Sequence, residues 1–302
     1  MRSPKRSLLI VVLSFFSLRV AVCQSANGRS ISDHFVETGS GIRIHYLEAG
    51  SSASFPTLIL IPGWRLPAYL WNEQLQKFSA ITRVIAIDPR SQGHSSKTSE
   101  GNTPESRARD LHDVMNKLNV SRCVLVGWSQ GAQDIAAYLE QFGADSVAGV
   151  VLVDSPVSFG PAEVDEHKEF ARIILSGIAV YVNHPKEYSE GMVHSIFKKP
   201  HPDLDIASIV NSTLETPTDT GATMLVMDIF GADRRPALTK LRKPALVIAS
   251  STSPLLEVQK AMAASIPNSK LVVVEGAGHG VFVDEPEKFD EALGMFLKSF
   301  GT

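Results

Sequence analysis

The chain has 302 residues, of which 44% are hydrophobic and 20% charged, and its formal net charge is -3. This is the composition of an ordinary globular protein, long enough for one large domain with an insertion. Charges of both signs are scattered along the chain, so the sequence offers no basic surface for a nucleic-acid partner.

The first 23 residues differ from the rest of the chain. Basic residues precede an apolar run, Leu8 to Leu18, that is too short to span a bilayer. Ala21-Val22-Cys23, just before Gln24, has the small residues of a cleavage site. The pattern predicts a signal peptide over 1–23 and a secreted or periplasmic protein. An uncleaved anchor stays an alternative, and so does a lipid anchor on Cys23, although Val22 is a poor residue before a lipidated cysteine.

Cleavage after Cys23 would leave Cys123 as the only cysteine. An intramolecular disulfide is then excluded. Because Cys123 stands in an apolar run, we expect it to behave as a small buried hydrophobic residue.

Two segments near the start of the mature chain, Phe35–Thr38 and Ile42–Tyr46, alternate apolar and polar residues around a Gly-Ser-Gly turn. Such alternation predicts a hairpin with one face in water. Six apolar, mostly β-branched runs follow, and a run without alternation indicates a strand buried on both faces. These runs are Leu58–Ile61, Val84–Ile87, Cys123–Val126, Val150–Val153, Leu246–Ile248 and Leu271–Val274.

Segments with helical periodicity separate most of these runs, namely Ala68–Phe78, Glu105–Leu118, Ala132–Phe142, Leu255–Ser265 and Glu287–Phe300. The alternation predicts an α/β fold, a doubly wound, mostly parallel sheet of eight strands. About ninety residues between Val153 and Ala245 are far too many for an ordinary connection. Their apolar residues recur at helical spacing, which predicts a helical cap over 157–242, inserted between core segments 24–156 and 243–302.

A Gly-x-Ser-x-Gly motif, Gly127 to Gly131, lies between a strand and a helix. In that context it is typical of a nucleophile elbow, with the Ser129 hydroxyl projecting from a tight turn. The following N–H, on Gln130, would point at the developing oxyanion. A second donor is expected at Trp64, in the Pro-Gly-Trp turn after the first parallel strand. Ser129 also needs a base, and His279 is the candidate because it follows the last strand on a Gly-rich loop.

These motifs, with Asp88–Ser95 after the preceding strand, resemble those of the α/β-hydrolase superfamily. The stretch Gln133–Ser155 is more similar to its esterase and non-haem haloperoxidase (perhydrolase-like) branch. The resemblance covers roughly 35–155 and 243–300 and implies serine hydrolysis, without specifying the substrate. The serine at the elbow, where dehalogenases and epoxide hydrolases of the superfamily carry an aspartate, argues against those two activities.

The triad acid departs from the usual pattern of the superfamily. In most members that resemble this chain an Asp follows the next-to-last strand, and here Ser253 stands in that place. A serine cannot stabilise an imidazolium electrostatically. Asp154, after the sixth strand, is therefore the predicted acid, with Glu257 as its rival. Asp88 and Asp284 are interpreted as residues that order loops.

Together these features predict a serine hydrolase that cleaves an apolar carboxylic ester or lactone through an acyl-enzyme. Arg65 and Trp128 are expected to contact the substrate. No His/Cys cluster at ligand spacing and no phosphate-binding loop is visible, so we expect neither a metal nor a cofactor. Perhydrolysis, carbon–carbon bond hydrolysis and a non-catalytic small-ligand binder on the same scaffold remain alternatives.

Overall fold

The computed structural model describes residues 30–51, 55–157 and 168–301. The predicted signal peptide, its cleavage site and residues 158–167 of the predicted cap lie outside these ranges. Among the helices in these ranges, none has both the length and the apolar character needed to cross a membrane.

Eight strands form one sheet in the order β1-β2-β4-β3-β5-β6-β7-β8. Strand β2 pairs antiparallel with β1 and β4, and all other neighbours are parallel. This confirms the predicted doubly wound, mostly parallel sheet of eight strands. The strands are β1 Ser32–Glu37, β2 Arg43–Ala49, β3 Thr57–Ile61, β4 Val84–Ile87, β5 Cys123–Trp128, β6 Val147–Val153, β7 Ala245–Ser250 and β8 Ser269–Val274.

Helices cover both faces of the sheet, and the strands divide their apolar side chains between two core clusters. Leu58 and Leu60 of β3 join one cluster, whereas Ile59 and Ile61 join the other. The packed helices are α1 Asn72–Phe78, α2 Pro104–Lys117, α3 Gln130–Phe142, α8 Arg235–Thr239, α9 Leu256–Ser265, α10 Val281–Asp284 and α11 Pro286–Lys298. Burial on both faces explains why the central strands lack alternation.

The cap between β6 and β7 contains four longer helices among its described residues. They are α4 Lys168–Asn183, α5 Pro185–Ile196, α6 Ile206–Leu214 and α7 Thr218–Phe230. Helix α5 packs against α4 and α6, and α7 packs against α4. The described part of the cap is therefore helical, as the proline-punctuated apolar pattern predicted.

Two predictions about burial were wrong. Strand β8 is not buried on both faces, because it forms the edge of the sheet and leaves Leu271 37% exposed. On β2 the expected alternation fails at His45, which is only 3% exposed. Asp88, in the loop after β4, covers this ring and lies 2.7 Å from its Nδ1.

Candidate active site

Ser129 occupies the predicted sharp turn between β5 and α3. Its backbone has φ 55° and ψ -119°, a strained conformation for a residue with a β-carbon. The flanking glycines are sterically required: a β-carbon on Gly127 would lie 2.3 Å from the Gly131 oxygen, and one on Gly131 would lie 2.6 Å from the Ile61 oxygen. The turn thus sets Ser129 at the N-terminus of α3, where negative charge is stabilised.

The turn after β3 packs directly against this elbow. A β-carbon added at Gly63 would lie 3.1 Å from the Ser129 β-carbon, so only a glycine fits there without a shift. The next residue, Trp64, lies in the same turn, and its indole Nε1 donates to the Gly221 oxygen of the cap at 2.9 Å. The turn that carries the predicted oxyanion donor is therefore also a point of attachment for the cap.

His279 and Asp154 meet from neighbouring loops at the carboxyl ends of the strands. His279 Nδ1 lies 2.8 Å from Asp154 Oδ2, and the Asp154 side chain is almost completely buried. This contact fixes the ring so that Nε2 is free to act on another group. Asp154 itself adopts φ 45°, the left-handed region, directly after β6.

Two donors hold the other oxygen of the Asp154 carboxylate. The Ser250 backbone N–H donates to Oδ1 at 2.9 Å and the Gln259 Nε2 amide at 3.1 Å. The same amide donates to Ser253 Oγ at 3.0 Å. Ser253, at the usual acid position, thus shares the amide that supports Asp154. Gln259 was not among the predicted site residues, although a glutamine inside a predicted core helix was a signal for it.

The other candidate acids, Glu257 and Asp284, have partners of their own. Glu257 is exposed and pairs with Lys260 Nζ at 2.8 Å. Asp284 accepts from the Gly278 N–H at 2.6 Å, next to His279, and from the Lys198 N–H at 2.9 Å. Asp284 therefore orders the loop that carries His279 and ties it to the cap.

Arg65 and Trp128, which were expected to contact the substrate, do not line the cavity at Ser129. Trp128 is fully buried, and its Nε1 donates to the His279 oxygen at 2.9 Å. Arg65 is also fully buried, with Nη1 donating to Ser189 Oγ at 3.1 Å. Among the described residues no carboxylate pairs with it. Burial lowers the pKa of Arg65 to about 10. The guanidinium also stacks on the rings of Trp64 and Tyr181.

Trp128 and Arg65 instead pack against residues that line the cavity. Trp128 lies behind His279, with ring centroids 5.4 Å apart. Arg65 reaches from the Trp64 turn into cap helices α5 and α6, through Ser189 and the Thr213 oxygen. We interpret Arg65 as a cap anchor rather than a substrate contact.

A cavity of about 630 Å³ lies between the cap and the carboxyl ends of the strands. Ser129, His279 and Asp154 line it together with Trp64 and Gln130, so the structure brings five of the seven predicted site residues together. Its apolar wall is formed largely by the cap, with Ile173, Ile174, Met192, Ile196, Leu225 and Ile229. The volume is in the usual range for a small-molecule site.

A buried carboxylate of the cap also reaches this cavity. Asp228 on α7 is 2% exposed, lines the cavity and accepts from the Gln130 side-chain amide. Its other oxygen accepts from Arg107 Nη2 at 2.6 Å, and Arg107 Nε donates to Asp134 at 2.8 Å. We did not predict Asp228, though a single acid in the apolar run of α7 was a signal.

Comparison with known proteins places the chain in a family. Residues 56–286 match the family model described as alpha/beta hydrolase fold. The non-heme chloroperoxidase of Kitasatospora aureofaciens is 26% identical over 282 residues, covering 86% of this chain and 98% of the relative. A bifunctional esterase/perhydrolase of Acinetobacter calcoaceticus is 23% identical over 275 residues, covering 88% and 99%.

Among solved structures, the bromoperoxidase of Bacillus anthracis superposes with a TM-score of 0.77 at 23% identity, over 88% of this chain and 100% of that one. At this identity the likeness concerns the fold alone. The family match spans most of the chain and includes the elbow and the His279 loop. The chain therefore belongs to the alpha/beta hydrolase fold family, as an enzyme with esterase-type relatives.

Proposed function

We propose that the protein is a serine hydrolase that cleaves a neutral carboxylic ester or lactone. The observation that carries this proposal is the oriented His279–Asp154 pair beside the strained Ser129 elbow in one cavity. A pure binding protein would have no chemical need for all three groups. The name of the bifunctional esterase/perhydrolase among the relatives supports the same reaction class.

In the proposed reaction His279 Nε2 takes the proton from Ser129 Oγ while that oxygen attacks the ester carbonyl. The N–H groups of Trp64 and Gln130 bind the oxyanion of the tetrahedral intermediate. His279 then gives the proton to the departing alkoxide, leaving an acyl group on Ser129. Water, activated by His279, attacks that ester, and the acid leaves as Ser129 regains its proton.

A Ser129→Ala variant tests the nucleophile. Because one missing triad member removes nucleophilic catalysis, we expect turnover of p-nitrophenyl butyrate to fall about ten-thousandfold or more. Labelling by a fluorophosphonate probe should disappear as well. Ser195→Ala, which removes another hydroxyl from the cavity wall, is the matched control and should change both signals little. Turnover of Ser129→Ala within about tenfold of the parent would exclude this mechanism.

The cavity wall favours neutral, medium-sized apolar substrates. Cap side chains make most of it apolar, while Asp154 and Asp228 contribute carboxylates that repel anions. Arg65, the nearby cation, is not in the wall. We expect p-nitrophenyl esters to be cleaved best at short to medium acyl length, and lactones of similar size to be accepted. The measurement is kcat/KM over a chain-length series beside a lactone panel. Peak activity at long-chain esters with interfacial activation would instead indicate a lipase.

Perhydrolysis is a second candidate because a relative that this chain matches over 99% of its length is named an esterase/perhydrolase. It would use the same acyl-enzyme, with peroxide replacing water as the attacking nucleophile. Adding hydrogen peroxide to the ester assay and measuring peracid formation distinguishes the two outcomes of deacylation.

A further inference from the structure

Three potential metal ligands meet on the hairpin side of the sheet, outside the cavity described above. They are Asp33 on β1, His45 on β2 and His94 in the loop after β4, and one ligand atom from each lies within 4.8 Å of the others. Asp33 and His45 lie on the two strands of one hairpin, and His94 comes much later in the chain. The hairpin register and the fold of the loop bring them together, so sequence spacing did not reveal them.

Within this cluster, His45 is the residue that the surrounding structure holds in a fixed position. It is 3% exposed, and the Asp88 carboxylate lies 2.7 Å from its Nδ1. A carboxylate that accepts from Nδ1–H leaves the lone pair of the neutral ring on Nε2. Asp33 Oδ1 lies 3.1 Å from Nε2, yet among the described residues no hydrogen bond of normal geometry reaches this buried atom.

The two other ligands come from elements that flank His45. Asp33 pairs with Leu47 in the register of β1 and β2, so it is the diagonal neighbour of His45 on the same face. The His94 ring lies 4.9 Å from the His45 ring, and its backbone N–H donates to Asp88 at 2.8 Å. One carboxylate, Asp88, therefore orients His45 and fixes the backbone of His94.

We propose that Asp33, His45 and His94 bind a divalent transition-metal ion of the Zn²⁺ type, with Asp88 as the hydrogen-bonded support of His45. Two imidazoles and one carboxylate suit such an ion and leave a position for water. A carboxylate that orients a metal-bound histidine is the usual arrangement around zinc. Asp33 and His94 are exposed, so their side chains can turn to reach bonding distance from the ion.

The ion would be structural. It would connect the edge hairpin to the loop after β4, which Ser95 already ties to β2 through its bond from the His45 N–H at 2.8 Å. Burial lowers the pKa of His45, but the hydrogen bond and charge of Asp88 and the charge of Asp33 outweigh it and raise the pKa overall. An imidazole binds a metal ion only in its neutral form, so the assay is run at pH 8.

The experiment titrates Zn²⁺ into the EDTA-treated, dialysed full chain by calorimetry, with thermal unfolding as a second readout. We expect one site that raises the unfolding temperature. His94→Ala and Asp33→Asn should each weaken zinc binding about a hundredfold or more, since losing a direct ligand costs at least as much affinity as losing a residue that only supports a ligand. His34→Ala removes a neighbouring exposed histidine and should leave binding unchanged.

Because His279 can also take up zinc, the titrations are repeated in a His279→Ala background, where the site should persist. Zinc affinity that is equal in the parent, His94→Ala and Asp33→Asn would overturn the proposal. So would the absence of zinc binding, or binding that disappears with His279 alone.

Discussion

Asp154 is held in one orientation by partners on both of its oxygens. His279 lies at Oδ2, while the Ser250 N–H and the Gln259 amide lie at Oδ1. A carboxylate fixed in this way can hold the imidazole in one tautomer and stabilise its positive charge during the reaction. We therefore propose that Asp154 replaces the acid that is missing at Ser253.

Asp154→Asn should lower turnover on the order of a thousandfold or more, because an amide would favour the wrong tautomer of His279. Glu257→Gln is the matched control and should be nearly silent, since Glu257 is exposed and pairs with Lys260. The measurement is kcat on a p-nitrophenyl ester for both purified variants. If Glu257→Gln were the more damaging change, the assignment of the acid would be wrong.

The residues that carry local motifs could be predicted, and those defined by tertiary contacts could not. Ser129 and His279 follow from glycine-rich turns after strands, which the sequence displays directly. Asp154 followed from the absence of an acid at Ser253. Arg65 shows the limit: an arginine beside the predicted oxyanion donor suggests an anion site, but only the packed cap reveals that the guanidinium is buried.

At the scale of elements, a buried cluster of charges joins the cap to the core. Arg107 on α2 lies between Asp134 on α3 and Asp228 on α7. Two carboxylates face one guanidinium, and Asp134 Oδ2 has no hydrogen-bond partner among the described residues. Burial, with the charge of Asp228 adding to it, raises the pKa of Asp134 to about 7 despite Arg107.

This pKa predicts how stability changes with pH. The folded state holds the Asp134 proton up to about pH 7, whereas the unfolded chain releases it near 3.8. The unfolded state therefore binds fewer protons in that window, and stability falls as pH rises, by at most about 1.4 kcal/mol per pH unit. The Asp134→Asn variant has no carboxyl group at this position, so its free energy of unfolding does not fall for this reason as the pH rises.

The difference in unfolding free energy, Asp134→Asn minus parent, should thus increase from pH 4 to pH 7 and then level off. Urea unfolding at several pH values measures it. Glu140→Gln, at an exposed position of the same helix, is the control and should show no such trend. A difference that declines with pH would mean that the pKa of Asp134 is lowered, not raised.

Helices and strands of the core could be placed from periodicity, but the walls of the cavity could not. Some apolar residues of a cap helix pack in the core, and others line the cavity. Their spacing along the helix does not tell the two groups apart. Ile209 is buried in the core cluster, whereas Ile173 lines the cavity and is 61% exposed. The distinction depends on how the four cap helices lie over the sheet.

For the molecule as a whole, the order of apolar runs and helical segments was sufficient to predict the sheet. It did not indicate which strand lies at the edge, because β8 is apolar enough to resemble a central strand. Strand order depends on pairing between distant segments. The exposed Leu271 is the residue at which this prediction was wrong.

We also propose that the protein is exported, on the basis of residues 1–23. Expression in a host with a secretory pathway should yield a chain that begins at Gln24, because the apolar run and the small residues after it are typical of a cleaved signal. Intact-mass measurement of the exported protein tests this. Retention of Met1, or a mass increased by a lipid on Cys23, would contradict cleavage at that point.

Cys123 lies in β5, between β3 and β6, and is fully buried. Burial raises the pKa of its thiol to about 12, so the reactive thiolate is scarce as well as inaccessible. An alkylating reagent can reach it only after β5 separates from the sheet. In a chain that begins at Gln24 it is the sole thiol, so the rate of alkylation measures how often the strand leading into Ser129 opens, without an added label.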